Sequence, residues 1–354
     1  MARVLVLNTG SSSTKVALYE DDREVWRETV RHDYDEIRRL KTVKEHLRFR
    51  ERVIREILER KGVKGDGVDA VAVIGGLLKP LRSGTYVVNE RMVLDLYESR
   101  RGFHASNLSG IIGYDLARRW GVKAYTVDPV SVDEMDPVAR YSGHPALPRY
   151  SLSHALNTKA VAKRWAKENG RRYDGSNLIV IHLGSGITVS AHRGGRMVDI
   201  TNSMEEGPFS VERTGTLPVM SLAKLCFSGK YSYDEVRRMI FGEGGMWAYL
   251  GEKDFRKVME RVRDGDKKAK EVVDAMLYQI GKEAGGMAAV LEGKVDVLII
   301  TGGMAHEEYV VESLKRRLSF IAPIHVYPGE DELRALAEGV LRVLRGEEEA
   351  LNYE

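Results

Sequence analysis

Two stretches of this chain set small and hydroxylated residues between apolar runs, a combination that can bind phosphate. The first runs Val4-Leu5-Val6-Leu7-Asn8-Thr9-Gly10-Ser11-Ser12-Ser13-Thr14-Lys15-Val16-Ala17-Leu18. The second runs Ile179-Val180-Ile181-His182-Leu183-Gly184-Ser185-Gly186-Ile187-Thr188-Val189-Ser190-Ala191. Overlaid, Gly10 falls on Gly184, Ser11 on Ser185, Thr14 on Thr188 and Ala17 on Ala191. Small residues let backbone N–H groups come close to an anion, and hydroxyls such as Ser12 add donors. Each copy reads as a strand, a tight turn and a second strand. Two such hairpins in related halves can grip a polyphosphate from both sides. A P-loop is excluded. The run from Gly10 to Lys15 lacks a second glycine before the lysine, and a strand pattern follows it where a P-loop needs a helix.

The elements that must position these hairpins follow from periodicity. A helical stretch is expected from Tyr34 to Arg60, with Ile37, Leu40, Val43, Leu47, Val53, Ile54 and Leu58 at mostly helical spacing. Val68 to Ile74 reads as a buried strand running into Gly75-Gly76, and Ala124 to Val127 as another, with Asp128 at its end. Asn89–Ser99, Ser106–Trp120, Ser153–Asn169, Lys267–Leu291 and Asp331–Arg345 read as helices, the second capped by Ser106 or Asn107. Val295–Thr301 is a strand, followed by Gly302 and Gly303. Strands alternating with helices in two similar halves predict a duplicated α/β fold. The domains are expected at 1–150 and 151–330, with a C-terminal helix and tail at 331–354.

Composition narrows the function classes. The 354 residues carry a net charge of +3 with acids and bases interspersed, so no basic stripe calls for nucleic acid. Arg38, Arg39, Lys41, Lys44, Arg48 and Arg50 are interleaved with Glu and read as a solvated helix face. The single cysteine, Cys226, excludes an internal disulfide; between Leu225 and Phe227 it reads as a packed core thiol. No long apolar run or signal-peptide pattern is present, so a cytoplasmic enzyme is expected, without a membrane partner. Charged residues make up 30% of the chain and Gln279 is its only glutamine, a bias that fits a thermophilic source.

Nine segments then carry a family resemblance. They are Asn8–Lys15, Gly75–Pro80, His104–Leu108, Val127–Val130, His154–Asn157, His182–Gly186, Glu212–Pro218, Thr301–Gly303 and Tyr327–Glu332. In this order the chain resembles the butyrate kinases of the acetokinase family, from Arg3 to about Glu347. The resemblance implies an actin-like, ribonuclease H-like ATPase fold with a central cleft, and a homodimer or higher homo-oligomer. It implies reversible phosphoryl transfer between MgATP and a short-chain fatty acid, giving an acyl phosphate and ADP. By similarity, Asn8 and the first hairpin approach the transferring phosphate. The second hairpin would hold the inner phosphates, and Thr301, Gly302 and Gly303 would lie against the adenine or ribose. For Gly302-Gly303 the alternative is a plain strand-to-helix turn.

A carboxylate is already ionised at neutral pH, so it needs no general base. The site must instead offset repulsion between two anions, with Mg²⁺, cationic side chains and backbone donors. Arg213, in a Gly/Pro/Thr-rich segment, is the leading transition-state clamp, because a guanidinium can hold two phosphoryl oxygens. His154 and His182 could donate to phosphoryl oxygens; a core or helix-face role is the alternative for His154. Asp128 reads as a Mg²⁺-water or positioning carboxylate. Asn8 and one of Glu330, Asp331 and Glu332 are the metal-side candidates, although acids at a helix start also suit its dipole. A binding protein of this fold that has lost catalysis, serving as a sensor, and a kinase for another acid are the competing readings.

The chain departs from the butyrate kinase pattern at one telling place. An arginine usually precedes the Gly75-Gly76 pair, and here the residue is Ile74. The resemblance implies that an arginine in this region meets the substrate carboxylate, so that anion is left poorly paired unless Lys79 or Arg82 substitutes, with Gly75 and Gly76 on the substrate side. Ser185 stands where glycine is usual, and the loop Asn202–Pro208 is a residue short. Ile74→Arg would offer the carboxylate two charge-assisted hydrogen bonds. It is expected to lower KM for butyrate and leave ATP affinity unchanged; steady-state kinetics check this, and an unchanged or higher KM removes position 74 from carboxylate binding.

Overall fold

The computed structural model describes residues 1–354, the side chain of Tyr34 excepted. The strands are β1 Arg3–Thr9, β2 Ser13–Glu20, β3 Arg23–Arg31, β4 Ala70–Val73, β5 Thr85–Val87, β6 Lys123–Val127, β7 Leu178–Leu183, β8 Ile187–Arg193, β9 Arg196–Ile200, β10 Val297–Gly302, β11 Ile324–Pro328 and β12 Leu351–Asn352. One sheet has the order β12-β5-β6-β4-β1-β2-β3, the other β11-β10-β7-β8-β9. In each, three antiparallel strands continue into parallel ones: β1 pairs in parallel with β4 and β4 with β6, as β7 does with β10 and β10 with β11. The duplicated α/β fold is therefore present in the backbone itself.

The apolar runs have a packing reason. Strands covered on both faces need apolar residues at every position, and every residue of β7 is buried. Its alternate side chains serve two cores. Ile179 and Ile181 pack in a cluster with Val273, Met276, Leu277 and Ile280 of the helix Lys267–Val290. Leu178 and Val180 pack with Val161, Ala162 and Trp165 of the helix Ala155–Glu168. In the first sheet, Leu5 and Leu7 share a core with Phe49, Val53, Ile54 and Ile57 of the helix Val43–Arg60.

The chain divides into two compact units. One comprises residues 1–133, 155–157 and 331–354; the other comprises 134–154 and 158–330. The segment 134–150, expected in the first domain, belongs to the second unit, because polar contacts fix it to β9. Asp136 N–H donates to the Val198 carbonyl at 2.8 Å, and Met197 N–H donates to Glu134 at 3.1 Å. Glu134 also pairs with fully buried Lys159 at 2.7 Å. The helix Glu332–Leu344 belongs to the first unit, its Leu336, Ala337 and Val340 fully buried.

Other boundaries shift for local reasons. The stretch expected as one helix from Tyr34 to Arg60 is two, Tyr34–Arg39 and Val43–Arg60. Thr42 caps the second with a reciprocal Thr42/Glu45 capping box, a start signal that periodicity alone hides. The helix Ser106–Trp120 starts after Ala105, with no side-chain cap, so Ser106 and Asn107 lie inside it. Cys226, expected in the core, is exposed; the helix Val219–Cys226 that carries it has no buried residue. Among the described residues no helix is long and apolar enough to cross a membrane.

Candidate active site

Both hairpins form where the sequence places them. β1 pairs with β2 from Arg3–Glu20 to Thr9–Thr14, leaving Gly10 to Ser13 as the turn. β7 pairs with β8 from Leu178–His192 to Leu183–Ile187, leaving Gly184 to Gly186. The second turn is thus one residue shorter, and the two copies differ in register by one. What they share is the wiring of the backbone. Gly10 N–H donates to the Ser13 carbonyl at 2.9 Å, and Gly184 N–H to the Gly186 carbonyl at 3.1 Å. The Ser185 carbonyl accepts from the Ser210 hydroxyl at 2.6 Å. The Ser12 carbonyl accepts from His32 N–H at 2.9 Å. The N–H groups of Ser11, Ser12, Ser185 and Gly186 have no partner among the described residues. Backbone donors left without a partner at a tight turn can bind an anion.

In the first unit, buried Asn8 lies at the end of β1 and donates from Nδ2 to Glu332 Oε2 at 2.6 Å. Lys15 Nζ stands 3.6 Å from the same carboxylate oxygen. The three acids offered for the metal side therefore separate. Glu332 is with Asn8, Asp331 is engaged by Arg27 at 2.7 Å, and Glu330 lies in the other unit. Asp128, 3% exposed at the end of β6, accepts from the Ser83 hydroxyl at 2.5 Å and Gly84 N–H at 2.8 Å. Its φ of 39° is unusual for a residue other than glycine and marks a locally constrained position.

The remaining first-unit candidates are less free than expected. Lys79 donates to the Glu354 carbonyl and lies 5.0 Å from the Tyr353 ring centroid, so its ammonium is already engaged. Arg82 is exposed. Gly75 and Gly76 are places of close packing. A Cβ at Gly75 would meet the Pro129 side chain at 2.5 Å, and one at Gly76 the Asn107 amide at 2.1 Å.

In the second unit the candidates converge. The rings of His154 and His182 stack 4.0 Å apart at 13°. His154 Nδ1 contacts Thr188 Oγ1 at 2.8 Å, and His182 Nε2 lies 3.1 Å from Glu330 Oε1. Burial, with His182 and Arg213 adding to it, holds His154 well below the ordinary histidine range. It is a neutral hydrogen-bonding group at physiological pH. Arg213 anchors Nη1 on the Ser203 carbonyl and hydroxyl at 3.1 and 3.0 Å and stands over the Phe241 ring at 4.7 Å. Its Nε is buried without a hydrogen-bond partner. Burial lowers its affinity for the proton, with Glu212 opposing. An orphaned donor on a desolvated cation suits an anionic ligand.

Gly302 meets a backbone demand. Its φ is 94°, and a Cβ there would meet the Leu183 carbonyl at 2.4 Å. Gly302 and Gly329 exchange backbone hydrogen bonds at 3.1 and 2.9 Å, and Thr301 donates to the Gly329 carbonyl at 3.2 Å. Gly303 opens a short 3₁₀ turn with open space beside it. The strand-to-turn alternative thus accounts for Gly302 by itself.

Sequence reasoning missed Ser203, Ser210 and Phe241, which support the site through contacts distant in sequence. It also misread Arg50, which is 0% exposed behind the first hairpin. A signal was present: Arg50 precedes Val53, Ile54 and Ile57 by three, four and seven residues, which puts it on the buried stripe.

Comparison with solved structures places this fold. The crystal structure of Porphyromonas gingivalis acetate kinase superposes with a TM-score of 0.78 at 20% identity, over 97% of this chain and 100% of that one. The protein is of the duplicated actin-like, ribonuclease H-like ATPase fold class. Residues 138–326 match the model of the acetokinase family. A probable butyrate kinase 2 from Caldanaerobacter subterraneus subsp. tengcongensis is 51% identical over 98% of both chains. Butyrate kinase 1 from Clostridium acetobutylicum is 48% identical over the whole of both. The chain belongs to the acetokinase family.

The Arg213 geometry depends on a missing side chain. A Cβ at Gly186 would fall 2.3 Å from Arg213 Nη1 and 2.7 Å from its Cζ. Gly186→Ala should displace this guanidinium while leaving the fold intact, since the clash is with the end of a flexible side chain. Phosphoryl transfer is expected to fall roughly 10-fold or more with little change in Tm. Equal losses in Tm and activity would show that the glycine serves packing alone.

Proposed function

We propose that the protein is a carboxylate kinase transferring a phosphoryl group reversibly between ATP and butyrate or a related short or branched-chain fatty acid. What carries this reading is kinship at about half identity with butyrate kinases along the whole chain, joined to a site rich in anion donors. A carboxylate oxygen attacks the γ-phosphorus, forming the acyl phosphate bond. The bond to the β,γ-bridging oxygen breaks, and ADP leaves with its electron pair.

The residues divide the work by chemistry. Backbone donors of Ser185 and Gly186, with Gly184 and His182, bind the nucleotide phosphates. Ser11, Ser12, Thr14 and Lys15 serve the transferring group through their hairpin. Arg213 takes the charge that grows on the equatorial oxygens, and neutral His154 adds a hydrogen bond without repelling Arg213. Thr301, Gly302 and Gly303 border the nucleoside. Asp128, held by Ser83 and Gly84, is a positioning carboxylate.

Magnesium fits the donor set. It retains waters and takes one or two protein oxygens alongside phosphates. Glu332 offers a carboxylate, and Asn8, whose amide nitrogen meets that carboxylate, carries an amide oxygen as the second candidate. Once bound, Mg²⁺ would neutralise phosphate charge. Arg82 is the remaining cation offered to the substrate carboxylate, since Lys79 is engaged elsewhere. Ile74 in place of an arginine favours an acid that gains from apolar contact. Self-association belongs to this reading too, supported by the exposed Val219, Met220 and Phe227.

Hydroxylamine trapping of acyl phosphate across acids from acetate to hexanoate tests the proposal. Hydroxamate should form with ATP and at least one acid of the series. Arg213→Ala should lower kcat by about 10²–10⁴-fold with a far smaller change in nucleotide affinity. Arg213→Lys should recover little, because it restores charge without the planar fork. No hydroxamate above the acid-free control would refute the kinase reading; near-normal turnover in Arg213→Ala would remove that residue from the mechanism.

A further inference from the structure

The first hairpin rests on a buried cation. Arg50, on the helix Val43–Arg60, is fully enclosed and spends its guanidinium on the turn. Nη2 donates to the Gly10 carbonyl at 2.8 Å and the Ser11 carbonyl at 3.2 Å. Nη1 donates to the Ser13 carbonyl at 2.8 Å and Thr14 Oγ1 at 2.7 Å. With the Ser12 carbonyl taken by His32 N–H, every carbonyl from Gly10 to Ser13 is answered within the protein. The N–H groups of Ser11 and Ser12 are the ones left over.

The charge on Arg50 is more than this wiring requires. Among the described residues, no carboxylate pairs with it or accepts from it. Burial pushes its pKa down to about 10, still well above neutrality, so it remains a cation. Burial, with the Arg50 charge adding to it, pushes His32, 2.9 Å from Thr14 Oγ1, down to about 4. His32 is therefore neutral and offsets none of the charge. Enclosing an unpaired cation is costly. The second hairpin answers its Ser185 carbonyl with the neutral hydroxyl of Ser210 instead. A guanidinium bound to the carbonyl side of a turn whose Ser11 and Ser12 N–H groups have no partner adds uncompensated positive charge to a potential anion site.

We propose that Arg50 is a positioning residue for phosphoryl transfer: it fixes the first hairpin so that the Ser11 and Ser12 N–H groups face the transferring group, and it adds positive field from behind. The proposal rests on the carboxylate kinase reading. Lysine can replace it only in part, since one ammonium cannot span four oxygens laid out for a planar fork.

Arg50→Lys and Arg50→Met, assayed by hydroxylamine trapping and by amide hydrogen exchange, test this. In Arg50→Met, kcat should fall about 10²-fold, as for a small misplacement of reacting groups, with KM for butyrate within about twofold of wild type. Arg50→Lys should fall between the two. Exchange across residues 8–16 should speed up at least tenfold in Arg50→Met, while residues 267–290 stay unchanged. Wild-type kcat in the folded variants, or a loss confined to Tm, overturns the proposal. If Arg50→Met does not fold, Arg50→Lys decides: wild-type turnover and exchange overturn it, and a lowered kcat at unchanged KM supports it. A wild-type protein that makes no acyl phosphate refutes the kinase reading instead. Exchange then still decides whether Arg50 holds the hairpin.

Discussion

A turn can show its N–H groups to an anion only if its carbonyls are satisfied on the other side. That constraint shapes both halves of this protein. A backbone carbonyl left bare beside a phosphate would repel it, and a carbonyl buried without a donor would destabilise the fold. The first unit meets the demand with one guanidinium and the His32 N–H. The second answers the Ser185 carbonyl with the Ser210 hydroxyl and the Gly186 carbonyl with a bond across the turn itself. The duplication therefore repeats an electrostatic arrangement while changing the groups that supply it, down to a one-residue difference in register.

Around these turns the side chains follow the same economy of charge. The ring of His154, stacked on His182, sits close to Arg213, where a protonated His154 would repel the guanidinium. Burial keeps His154 neutral. Ser203 fixes one end of Arg213, and the missing side chain at Gly186 makes room for it. Glu332 holds Asn8 in the first unit, while Glu330 answers His182 in the second. Three consecutive acids thus serve three different partners, Asp331 being held by Arg27.

Much of this was legible in the amino-acid sequence. The two hairpins, the duplicated α/β order and the long helix ending near residue 290 follow from period-2 and period-3.6 patterns, which burial enforces. Family membership followed from nine short segments in order. The places where reading failed share a cause: partners distant in sequence. Arg50 looks solvated among neighbouring charges, yet its helical register places it inward, onto carbonyls some forty residues away. Cys226 looks buried between Leu225 and Phe227, yet its helix has no buried residue. Lys79 looks available to a substrate until the Glu354 carbonyl takes it. The break at Thr42 was written in its capping box and masked by the continuous apolar spacing around it.

The most direct measurement is calorimetric titration of the intact protein with a non-hydrolysable ATP analogue, with and without Mg²⁺. If the turns present their backbone donors to phosphate, the analogue binds in the presence of Mg²⁺ and binds more weakly without it. Absence of binding by any adenine or guanine nucleotide, with the protein folded, would contradict the account.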